Sequence, residues 1–99
     1  MRVSVHVTPR TPPPPEALPD MFQAFQAWRD RYRDQMETFQ FFVGGGGMGI
    51  INGSDEAELQ RIITEFPFTP FSNMDVRVIV DGDVALRQWG EMLAAMAAR

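Results

Sequence analysis

The spacing of apolar and polar residues changes rhythm several times along the chain, and each rhythm names an element. Residues 2–8 alternate strictly, with Val3, Val5 and Val7 on one side and Ser4, His6 and Thr8 on the other, the pattern of a half-buried strand. Pro9 ends that strand, and the prolines at 12–15 predict a stiff connector without amide donors. From 16 to 36 the period lengthens to that of a helix. Leu18, Met21, Phe22, Phe25, Trp28, Tyr32 and Met36 share one face, and Arg29, Asp30, Arg31, Arg33 and Asp34 occupy the other.

Two short apolar runs then face each other across four glycines, in the stretch FQFFVGGGGMGIINGS at 39–54. They predict hairpin strands over 38–43 and 48–52, with the glycines at 44–47 supplying the positive φ angles of the reversal. A phosphate-cradling loop is a poor match: a P-loop needs GKS or GKT followed by a helix, whereas Met48, Gly49 and Ile50 continue as strand. Ser54 and Asp55 precede Leu59, Ile62, Ile63 and Phe66 at i, i+3, i+4 and i+7, and Asp55 with Glu58 has capping-box spacing, so a second helix follows. Pro67 stops it. The linker FPFTPFSN carries Phe66, Phe68 and Phe71 and is expected to fold over the sheet edge or onto a neighbouring subunit. Residues 74–81 alternate again as a last strand, with Val76, Val78 and Val80 against Asp75, Arg77, Ile79 and Asp81. Asp83 is placed to cap a C-terminal helix over 83–99 that presents Leu86, Trp89, Leu93 and Met96 on one face.

Strand, helix, strand, strand, helix, strand is the split βαβ order of an α+β, ferredoxin-like βαββαβ domain. Its antiparallel sheet has strand order 4-1-3-2, with both main helices on one face. The 99 residues form a single domain on this reading, with an extra C-terminal helix. The other face of the sheet carries Ser4, His6, Thr8, Arg77 and Ile79, together with either Phe39 and Phe41 or Phe42 from the hairpin. Left uncovered it would be a large mixed patch, so two sheets are expected to meet face to face in a homodimer.

Composition narrows the chemistry. With 44% hydrophobic and 22% charged residues the chain is an ordinary globular sequence. It has no Cys, hence no disulfide, thiolate nucleophile or cysteine-based metal site. All nine basic residues are arginines, so Schiff-base and PLP chemistry lack their lysine. A net charge of −4 without a basic cluster argues against nucleic acid as a partner. No apolar run reaches the length of a membrane span, and the N-terminal residues lack a signal-peptide core. A cytoplasmic location is the default expectation.

The hairpin GGGGMGIINGS, the helix SDEAELQRIITEFP and the segment FPFTPFSNMDVRVIVD together resemble the muconolactone isomerase-like members of the dimeric α/β-barrel superfamily. The resemblance implies a dimeric barrel and, by analogy, cofactor-independent isomerase or cyclase chemistry. No catalytic motif of that family matches here residue for residue.

Candidate chemistry rests on His6, the only histidine, with Arg77 on the neighbouring strand of the same face. His6 suits proton transfer near neutral pH and Arg77 suits a carboxylate or an enolate oxygen. Asp75 is placed to orient the imidazole. Ser4, Thr8, Phe42 and Trp28 are the candidate substrate contacts. The structural alternative is that Arg77 pairs with Asp75 or Asp81 and His6 is an interface residue. One histidine among scattered carboxylates has no metal-ligand spacing, and no cofactor is implied. Two functions stay open: a cofactor-free isomerase or cyclase moving a proton within a lactone, enone or polyketide-like small molecule in an enclosed pocket, and a non-catalytic dimeric module that binds a ligand or partner protein. A haem-binding relative is a weaker third, since only His6 is there to ligate iron.

Overall fold

Val3, Val5 and Ile51 are the residues around which the sheet closes, and each is almost completely buried. They belong to β1 (Arg2–Pro9) and β3 (Gly47–Asn52), the two central strands of a computed structural model that describes residues 1–99. The other elements are α1 (Leu18–Arg31), β2 (Met36–Phe41), α2 (Glu56–Glu65), β4 (Ser72–Val78) and α3 (Gly82–Ala97), with short 3-10 turns at Pro15–Ala17, Arg33–Gln35 and Thr69–Phe71. The sheet runs β2-β3-β1-β4, antiparallel throughout. This is the ferredoxin-like order expected from the sequence.

Register decides which face each side chain takes, because residues directly opposite across antiparallel strands share a face. One row is Phe39, Gly49, Val5 and Val76, and the next but one is Phe41, Gly47, Val7 and Met74. These look toward the helices. Between them lies the row Gln40, Met48, His6 and Asp75, followed by Thr38, Ile50, Ser4 and Arg77. These line the uncovered face. Phe39 and Phe41 are thereby assigned to the helix side.

Helix α2 closes the core through Leu59 and Ile62, the latter fully buried, and Phe66 follows at its end. Asp55 is its N-cap, accepting from the Glu58 N–H at 2.8 Å, while the Glu58 carboxylate turns back to Ser54. Helix α1 contributes Trp28, whose indole N–H donates to the Ile62 carbonyl at 2.9 Å, and the buried Tyr32 just past its end. That hydrogen bond ties the two helices together above the sheet.

Several element ends depart from the sequence reading. Helix α1 stops at Arg31 rather than near 36, because Met36 is drawn into β2 opposite Ile51. A bulge at Glu37, between the Met36 and Thr38 pairings, accommodates the entry. Strand β2 ends at Phe41, and only Gly44, Gly45 and Gly46 have positive φ; Gly47 already belongs to β3. The cap of α3 is Asp81 instead of Asp83: its carboxylate accepts from the N–H groups of Asp83 and Val84 at 3.1 and 3.3 Å. No helix is long and apolar enough to cross a membrane.

Candidate functional site

Large side chains normally fill the space between a sheet and its helices, but the helix-facing positions of β3 at 47 and 49 are glycines. Phe39 and Phe41 on one side and Val5 and Val7 on the other therefore flank a floor of bare backbone. Above it lies a cavity of about 430 Å³, within the size range of small-molecule sites. Phe25 and Trp28 of α1 form its roof, Phe66, Phe68 and Phe71 of the linker close one wall, and Pro12 and Pro13 stand at the mouth beside Gly45 and Gly46. The linker aromatics thus pack into the chain's own interior.

Phe25 is the hub of this aromatic cluster. Its ring lies 5.2 Å from Phe66 and 5.8 Å from each of Trp28, Phe39 and Phe68, mostly in edge-to-face arrangement. Such rings present both faces and edges to a planar guest. On the outer side of Phe39 the Arg29 guanidinium stacks at 4.5 Å from the ring centroid. The polar residues of the lining on the helix side are Thr11, Ser72 and Trp28, and the indole N–H of Trp28 is already used by Ile62, while the Gln40 side chain turns to Thr38 on the other face. No titratable side chain lines the cavity. What it offers chemically is shape, an apolar aromatic lining and a few neutral hydrogen-bonding groups.

The residues singled out from the sequence are divided by the sheet. His6, Asp75, Arg77 and Ser4 share the uncovered face, as their register requires, and Thr8 follows on the same face. Trp28 lies on the helix side and lines the cavity, so it does not meet a ligand held by Ser4 and Arg77. Phe42 touches both: it lines the cavity and its ring lies 5.8 Å from that of His6. Asp75 does not orient the imidazole. Both of its oxygens accept from the Arg77 side chain, at 3.1 and 3.2 Å, in an exposed ion pair. No group of three or more His, Cys, Asp or Glu side chains is clustered to hold a metal ion.

Sequence reasoning missed the glycine floor and the roles of Phe25, Phe39, Phe66 and Phe68 in the cavity. The signal was present in the alternation Gly47, Met48, Gly49, Ile50, which puts two vacancies on one face of a strand.

A four-stranded antiparallel sheet with two helices across one face and a cavity between the layers defines an α+β protein of the ferredoxin-like type. Muconolactone isomerase has this fold: its structure superposes with a TM-score of 0.72, covering 82% of this chain and 90% of its own at 13% identity. The 5-chloro-2-hydroxyhydroquinone dehydrochlorinase of Burkholderia phenoliruptrix AC1100, solved with 2,5-dihydroxybenzoquinone, superposes with a TM-score of 0.66, covering 84% and 97% at 17% identity. No protein-family model matches the sequence, and no curated protein matches it significantly. The likeness is one of fold, and the fold is muconolactone isomerase-like.

Proposed function

We propose that this chain is a small cofactor-independent enzyme, an isomerase or cyclase, that takes an apolar ring compound of the lactone, enone or polyketide-like kind into the cavity between sheet and helices. The observation that carries the reading is the cavity itself: about 430 Å³, walled by aromatic rings and floored by glycine backbone. The neighbouring structure that holds 2,5-dihydroxybenzoquinone supports a planar ring as guest. Burial among these rings desolvates the ligand and orders it, which favours ring closure or a proton shift within one molecule. His6 lies behind the Phe42 ring that lines the cavity and is the candidate proton-transfer group once that ring turns aside, whereas Arg77, on the far face of the sheet and paired with Asp75, does not reach a ligand held there. The working form on this reading is a cytoplasmic homodimer whose uncovered sheet faces meet.

One specific pair of observations favours a second reading, a non-catalytic ligand-binding module of the same fold. Arg77 is engaged by Asp75, and the cavity lining has no titratable group.

Binding is tested with 2,5-dihydroxybenzoquinone on a Trp89→Phe variant, in which Trp28 is the sole indole. Saturable quenching of Trp28 is expected, weakened roughly tenfold or more by Gly49→Val, which fills the floor and costs a contact free energy of about 1.4 kcal/mol or above. Catalysis is tested by proton NMR of an enolisable butenolide in heavy water. The parent chain should exchange the acidic ring hydrogen faster than buffer, and His6→Ala should abolish the exchange while leaving the fold and the quenching intact, with Arg77→Ala, on the far face of the sheet, exchanging like the parent. Binding without exchange in the parent chain would establish the non-catalytic module, and absence of binding would remove both readings.

A further inference from the structure

Helix α3 stands apart from the rest of the molecule. Beyond Val84 every residue of it is exposed, although Leu86, Trp89, Leu93 and Met96 form an apolar stripe at helical spacing. An isolated 16-residue helix is marginal in water, so this stripe needs a surface to lie on.

The dimensions of the chain say how much surface is missing. The molecule extends 65 Å along its longest axis with a radius of gyration of 17.6 Å, against about 12.6 Å for a compact chain of this length. A compact monomer of 11.2 kDa exposes about 5,700 Å². This chain exposes 7023 Å². The excess, about 1,300 Å² per chain and twice that for a pair, falls in the range of obligate homodimers.

A matching surface exists on the body. Val76 and Val78 project from β4 toward the helix side, yet they are 42% and 65% exposed, and Val80 continues the strip. The chain's own α3 is held away from it. The Ile79 N–H bonds to the Arg2 carbonyl at 2.9 Å, continuing the line of the strand, and Asp81 is fixed by its cap on Asp83 and Val84. Only Val80 separates these two anchors.

The geometry points to a reciprocal exchange in which α3 of each chain lies across Val76 and Val78 of a second copy. This rests on the homodimer reading above and adds to it the segment that crosses. The contact is apolar and unpaired on both sides, with no charge at the stripe positions or on the valine strip, so an identical chain satisfies it reciprocally.

The absence of cysteine permits a direct test. A Val78→Cys chain and a heavier, tagged Leu93→Cys chain are refolded together, oxidised and resolved without reductant, alongside light scattering of the parent chain and of Trp89→Glu. The expected result is a dimeric parent, a disulfide joining the two differently sized chains, and a monomeric Trp89→Glu variant. A dimer that forms no such cross-link and is unaffected by Trp89→Glu overturns the exchange and leaves the sheet-to-sheet dimer standing. A disulfide within one chain carrying both substitutions, with a monomeric mass, overturns the exchange by showing that α3 folds back on its own strand. A monomeric parent at micromolar concentration removes both the exchange and the dimer.

Discussion

Glu65 accepts a hydrogen bond from the Tyr32 hydroxyl and an ion pair from Arg31 at 3.2 Å, so one carboxylate fastens the end of α1 to the end of α2. The Tyr32 hydroxyl, with Arg31 beside it, holds the Glu65 carboxyl below its ordinary value of 4.5. Glu58 is lowered in the same way by Ser54, and Glu37 by Arg2. A carboxyl with a depressed folded-state pKa contributes stability that is fully present above its unfolded value and is lost as pH falls through the folded one. Thermal midpoints should accordingly be flat down to about pH 4.5 and fall below it. In Glu65→Gln that acid limb should be shallower, and an unchanged limb would show that the contact is too solvated to matter. Tyr32 is shifted up, chiefly because its hydroxyl donates to Glu65. Its contribution is present below the ordinary tyrosine range and fades as pH rises through the raised value, giving a second decline on the alkaline side.

The N-terminus of α2 was legible in the sequence because every partner lies within four residues. Asp55 caps the Glu58 N–H, and replacing it with alanine should cost about 1 kcal/mol in urea unfolding, with an unchanged slope. A loss below a few tenths would mean that Ser54 takes over the cap. Strand β1 was equally legible, since its alternation of valines with Ser4, His6 and Thr8 fixes the two faces without outside help. The end of α1 was not. Residues 32–36 keep helical periodicity, and what ends the helix is the pairing of Met36 with Ile51, a contact between distant parts of the chain. The split of the candidate site, by contrast, was legible: with both main helices on one face and His6 and Arg77 on the other, Trp28 of α1 belongs across the sheet from them, where it is found. The competition of Asp75 between His6 and Arg77 was decided by side-chain geometry that spacing does not encode.

For the molecule as a whole, the sequence foretold the order of elements and the sheet topology, while the cavity emerges only when two glycines of β3, two helices and a linker are brought together. The unspent surface of α3 and β4 has a thermodynamic signature as well. If two chains complete one another, dilution acts on folding itself, and a twentyfold rise in concentration should lift the calorimetric midpoint by roughly 4–7 °C. A midpoint independent of concentration would describe a chain that folds alone. If the cavity binds a ligand as proposed, its floor bears on how the site diversifies. A side chain at Gly46 would run into the Val7 carbonyl oxygen, and one at Gly47 into that of Gln40. Those two positions are therefore closed to mutation, and Gly49 is narrowly open, with the Thr38 carbonyl oxygen 3.2 Å from any added Cβ. Descendants of this sequence can retune what they bind only through the aromatic roof and walls, so a change of ligand should be written in the side chains of α1 and the phenylalanine linker, while the glycine hairpin stays constant beneath them.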